Sequence, residues 1–167
     1  MYRILALGGL ALALTSLPAT AQMVTVSPAQ VGQIFCIARL GNDMAPVRGL
    51  LTDTLAQAIA AAEKKNAAWA AKNPGEKPPL GDGIPWQAYP DYAPQCAPGN
   101  VAAGPGTASV EIGYTFPDAL EASFTDTLHL RQVEDPVAGS PVWRIDNIGY
   151  AHGGGDLRSF LATTFDP

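Results

Sequence analysis

Apolar residues follow two rhythms along this chain, a helical one in the first half and an alternating one in the second. Ser27 reads as a helix N-cap, Pro28 suits the first turn, and Gln30 completes a capping box. Val31, Ile34, Phe35 and Ala38 then form one apolar stripe, which Gly41 and Asn42 end. Cys36 lies about 140° around the helix from Val31, off that stripe, where it could be tied to a covering loop. A short helical turn entered at Pro46 is expected between Asp43 and Leu51. Thr52 caps a longer, alanine-rich helix that reaches about Lys72, with Leu51, Leu55, Ala58, Ala62 and Trp69 on one face. Asn73-Pro74-Gly75 stops it.

Residues 73–107 are different material, with eight prolines and six glycines. That density excludes a regular helix or a central strand. Ile84, Trp86, Tyr89, Tyr92 and Cys96 supply apolar anchors, so the segment reads as an ordered loop over the domain. From Ser109 the period becomes two. Val110, Ile112, Tyr114 and Phe116 share one parity, and after a turn at Pro117-Asp118 so do Leu120, Ala122, Phe124, Leu128 and Leu130. A turn from Glu134 to Pro141 leads to a third strand, Val142 to Tyr150. There the apolar parity slips between Ile145 and Ile148, which predicts a β-bulge near Asp146 or Asn147. Asp156 caps a last short helix with Leu157, Phe160 and Leu161 on one stripe. Helices followed by an antiparallel meander predict an α+β domain, its helices packed on one face of a curved sheet.

The front of the chain adds a compartment. Arg3, the apolar run Ile4–Leu14 and the small-residue site Ala19-Thr20-Ala21 have the form of a signal peptide over residues 1–21. The run is shorter than the roughly 20 residues a bilayer span needs. The expected product is a single domain over 22–167, periplasmic or secreted, with no membrane insertion after the leader is removed. The net charge of −5, one more negative without Arg3, argues against nucleic acid as a partner. In an oxidising compartment the two cysteines, Cys36 and Cys96, are expected to form a disulfide.

This order of elements resembles the nuclear-transport-factor-2-like superfamily, the cystatin-like α+β cone, and within it bacterial secreted domains of unknown function. Three stretches carry the likeness: Leu50–Leu55 opening the second long helix, Trp143–Ile148 in the last strand, and Leu157–Leu161 near the end of the chain. The resemblance implies a cone whose mouth can hold a ligand. It implies no particular activity.

Candidate chemistry is sparse. Asp126 has the apolar parity of its strand, between Phe124 and Leu128. A carboxylate facing a core would have a raised pKa and could serve as a general base, with Tyr114 on the preceding strand as a donor to an oxyanion. The blander expectation is that a bulge turns Asp126 outward or that Arg144 neutralises it. Trp86, Tyr89 and Tyr92 on the proline-braced loop, together with Trp143, are candidate binding residues, although the loop aromatics could instead pack down to hold the loop. His129, His152 and two cysteines expected to be oxidised have no metal-ligand spacing, and no cofactor signature is present. The primary expectation is an exported binding or interaction module for a small apolar molecule or another exported protein. A cofactor-independent lyase or isomerase using Asp126 and Tyr114, and an inhibitor or immunity-type protein, are the alternatives.

Overall fold

The computed structural model describes residues 25–89, 91–137 and 139–166; the leader-like stretch at 1–21 lies outside them. The elements run α1 (Pro28–Leu40), α2 (Ala45–Arg48), α3 (Asp53–Lys72), β1 (Gln95–Gly104), β2 (Thr107–Thr115), a 3-10 turn at Leu120–Ala122, β3 (Phe124–Asp135), β4 (Ser140–Gly149) and α4 (Leu157–Thr163). The four strands form one antiparallel sheet in the order β1-β2-β3-β4. This is the α+β architecture with a short terminal helix that the pattern predicts. Among the described residues no helix is long and apolar enough to cross a membrane.

Local chemistry starts each helix. The Ser27 hydroxyl accepts from the Gln30 N–H, and the Gln30 side chain accepts from the Ser27 N–H, which closes the capping box. The Thr52 and Asp156 side chains cap α3 and α4 by accepting from the N–H groups of Leu55 and Ser159. One face of the sheet is dry: Ala108, Val110, Ile112 and Tyr114 alternate inward on β2, and Phe124, Asp126, Leu128 and Leu130 on β3. Val31, Phe35 and Ala38 of α1 and Leu55, Ile59 and Ala62 of α3 cover it. Gly32 lets α1 settle closely, since a Cβ there would stand 2.8 Å from the Val110 side chain and 3.0 Å from Pro98.

Three sequence expectations need correction. The segment 73–107 is not loop throughout, because Gln95–Gly104 is strand β1. Its one proline, Pro98, is tolerated because β1 is an edge strand and because Pro98 borders a register shift between Pro98 and Val101. Pro105-Gly106 then turns the chain into β2, with Gly106 at φ 71°, as a type II turn requires. Cys36 is buried rather than peripheral, and the element it is tied to is this strand: Cys36 and Cys96 form a disulfide with Cα atoms 5.3 Å apart. Finally, β3 begins at Phe124, so Leu120 and Ala122 belong to a turn and Leu120 is exposed.

The expected bulge is present. His129 pairs with Asn147 and Leu130 with Ile145, which leaves Asp146 as the extra residue. Asp146 is thereby turned toward α3 and α4. Its carboxylate accepts from the Thr52 hydroxyl at 2.9 Å and the Arg158 guanidinium at 2.8 Å. The main chain closes the same junction, with Thr52 N–H donating to the Ile145 carbonyl and Ile145 N–H to that of Leu50. The stretches Leu50–Leu55, Trp143–Ile148 and Leu157–Leu161 therefore meet at one point.

The disulfide closes a loop of 60 residues, for which the chain-entropy model gives about 4 kcal/mol. Replacing both cysteines by alanine is expected to lower the urea-unfolding free energy by about that amount. A variant within about 1 kcal/mol of the wild type would show that residual structure in the denatured chain has removed the effect.

Candidate functional site

The proline-rich segment between α3 and β1 folds over the C-terminal end of α1. Turns close it locally, with Gly81 N–H donating to the Pro78 carbonyl and Gly83 N–H to that of Leu80. Both glycines have positive φ, 59° and 129°. Four longer ties hold it down. Leu80 N–H donates to the Asn66 side chain at 3.0 Å, and the Tyr150 hydroxyl to the Pro85 carbonyl at 2.6 Å. Ala88 N–H donates to Asp126 Oδ2 at 2.8 Å, and the Tyr92 hydroxyl to Asn42 Oδ1 at 2.7 Å. Asn42 can present its side chain there because it adopts the left-handed conformation, φ 51°, just past α1.

Between this loop and α1 lies a cleft of about 320 Å³, at the lower end of ligand-pocket sizes. Its walls include Arg39 of α1, Ile84, Trp86, Gln87, Tyr89 and Tyr92. Three of the four candidate binding residues thus meet in one place. Trp86 is buried, whereas Tyr89 and Tyr92 are partly exposed. Tyr89 leans on Phe116 and Phe124, with ring centroids 6.2 Å away in each case. Trp143 is elsewhere, half-buried on β4 opposite Gln132, and does not line the cleft.

Asp126 faces the core, 1% exposed, and neither an outward bulge nor Arg144 relieves it; Arg144 pairs with Asp135 at 3.0 Å. Two backbone donors satisfy the carboxylate instead, Ala88 N–H on Oδ2 and Ala151 N–H at 2.9 Å on Oδ1. Asp126 therefore joins the cleft loop to the segment after β4. Burial pushes its carboxyl above the usual carboxylate range, outweighing those two hydrogen bonds and the nearby His152. Tyr114 stacks on Phe124 at 4.7 Å, and its buried hydroxyl has no partner. Burial, reinforced by the charge of Asp126, holds that hydroxyl far above the ordinary tyrosine range, while Arg39 pulls the other way. Neither Asp126 nor Tyr114 lines the cleft.

The residues that sequence reasoning missed are Arg39 and Gln87. Arg39 is 5% exposed, and its guanidinium lies 3.5 Å from the centroid of the Tyr92 ring. Its Nε is buried without a hydrogen-bond partner, and none of the ion pairs among the described residues involves it. A buried polar atom left without a partner costs about 1–3 kcal/mol, while the attraction of an aromatic face contributes about 0.5–2 kcal/mol. The signal was present in the sequence: Arg39 follows Val31 and Phe35 at intervals of four, on the apolar face of its helix. Gln87 is also buried. Its amide nitrogen donates to the carbonyls of Tyr89 and Asp91, at 2.7 and 2.5 Å, which leaves Oε1 as an acceptor with no donor.

A second cleft, of about 350 Å³, lies beside the Asp146 junction. Its arginines are already neutralised, Arg144 by Asp135 and Arg131 by Asp146 at 3.8 Å. Two of the three buried side-chain atoms without a partner among the described residues, Arg39 Nε and Gln87 Oε1, belong to walls of the first cleft. Among the described residues no cluster of His, Cys, Asp and Glu could hold a metal ion. Comparison with known proteins adds no relative: no family model, no curated protein and no solved structure matches the chain.

If Arg39 serves a ligand rather than the fold, Arg39→Met, which fills similar space without a charge, is expected to change the unfolding free energy by less than about 1 kcal/mol or to raise it. A loss of more than about 3 kcal/mol in denaturant titrations would assign Arg39 to the fold. Asp126 should imprint a pH dependence on stability. With its folded pKa raised, the native state binds more protons than the unfolded chain from about pH 4 upward, so its contribution falls as pH rises through that window. Asp126→Asn is expected to flatten this decline in thermal unfolding midpoints measured across pH, and an unaltered slope would remove Asp126 as its source.

Proposed function

We propose that this protein is an exported binding module that receives its ligand in the cleft between α1 and the proline-rich loop. The observation that carries the proposal is the meeting of Trp86, Tyr89 and Tyr92 around an opening of ligand size on a loop tied down at four points. A loop ordered in advance loses little conformational freedom on binding, so more of the contact energy appears as affinity. Export is supported by the leader-like residues 1–21 and by the disulfide, which suits a periplasmic or extracellular address.

Membership of the nuclear-transport-factor-2-like superfamily remains part of the proposal, supported by helices that precede an antiparallel meander. The lyase or isomerase reading has less behind it. Both oxygens of Asp126 are engaged by backbone N–H groups, which leaves its carboxylate occupied as an anchor rather than open as a base.

Native mass spectrometry of the protein recovered from an exporting host is expected to find a small molecule retained by the wild type. The double variant Tyr89→Ala/Tyr92→Ala should lose it, with its fold checked by circular dichroism because Tyr92 also ties the loop to Asn42. Equal retention by the variant would place the ligand outside this cleft.

A further inference from the structure

We propose that the ligand of this cleft is a small hydroxylated aromatic monocarboxylate, its carboxylate held by Arg39 and its hydroxyl by Gln87. The inference rests on the binding reading above and specifies what binds. Its starting point is an inequality among the arginines. Arg48 pairs with Glu63, Arg131 and Arg158 with Asp146, and Arg144 with Asp135. Arg39 is the one described arginine without a carboxylate, and it is also buried. A protein ordinarily pairs a charge in that position, so the missing partner is the ligand's to supply.

The unmet charge is a single one. Lys77, the other cation of the cleft wall, is engaged by Asp82 at 3.1 Å. One free positive charge matches a monoanion better than a phosphate dianion. The guanidinium is a planar fork whose edge suits the two oxygens of a carboxylate, and Tyr92 already covers one of its faces.

Gln87 adds the second requirement. Its amide cannot be reversed, because its nitrogen donates to two backbone carbonyls, so the orphan atom is an acceptor. A carboxylate cannot satisfy it, but a hydroxyl on the same molecule can. The walls also include Ile84, Pro85, Trp86 and Tyr89, which are apolar or flat and suit an aromatic ring.

Isothermal titration of the intact, oxidised protein with para-hydroxybenzoate, benzoate, para-hydroxybenzamide and phenyl phosphate tests the assignment. The hydroxy acid should bind at least about tenfold more tightly than its neutral amide, and several-fold more tightly than benzoate and phenyl phosphate. In Arg39→Gln the acid and the amide should bind alike, and Tyr92→Ala should weaken every probe that binds the wild type. Equal affinity of acid and amide for the wild type, with both weakened by Tyr92→Ala, would overturn the carboxylate assignment and leave the cleft as a binding site. Tighter binding of phenyl phosphate would overturn it in favour of a phosphoryl group. Absence of heat from all four probes at millimolar concentration would overturn both this inference and the cleft reading. The comparison within the wild type decides the matter even if Arg39→Gln does not fold.

Discussion

The bond between Cys36 and Cys96 constrains everything between α1 and the sheet. It joins the buried face of a helix to an edge strand that carries no charged residue and includes a proline. On either side of that link the chain is committed: α1 lies on β2 through Gly32, and β1 pairs with β2. The segment from Asn73 to Pro94 must then leave α3 and return to the same helix. With so many prolines and glycines it forms turns rather than a further helix, and it settles over the end of α1. The cleft is the space left under that constraint.

Two buried charges sit close to this segment, and the fold treats them oppositely. Asp126 receives two backbone N–H groups, and hydrogen bonds to a charged group contribute about 1.5–3 kcal/mol each. Those bonds offset part of the cost of burying it and fasten the loop to the sheet. Arg39 receives only the face of Tyr92. The first arrangement is what a structural charge looks like. The second leaves bonding capacity unused inside the protein. Tyr114, buried with an unpartnered hydroxyl and electrostatically linked to both charges, lies between these roles.

Local signals made much of the fold legible. Ser27, Thr52 and Asp156 announced three helices because capping is a contact between near neighbours. Alternation placed the dry face of β2 and β3, and the slip in parity after Ile145 located the bulge that Asp146 occupies. The meeting of Trp86, Tyr89 and Tyr92 could be anticipated as a loop carrying aromatic contacts. Strand β1 could not, because pairing with β2 overrides the poor strand propensity of Pro98 and Gly99, and only the neighbour reveals that pairing.

Near-neighbour chemistry in the chain itself therefore determined three helices, their caps and the inward parity of two strands. Tertiary structure alone decided which charges found partners. Asp126 and Arg39 are equally conspicuous in the sequence as ionisable residues on apolar faces. Their fates diverge because the N–H groups of Ala88 and Ala151, distant along the chain, converge on one carboxylate, while no acidic side chain among the described residues reaches the guanidinium. Pairing across long sequence separations depends on where the whole chain closes, and a pattern of residues does not carry that information.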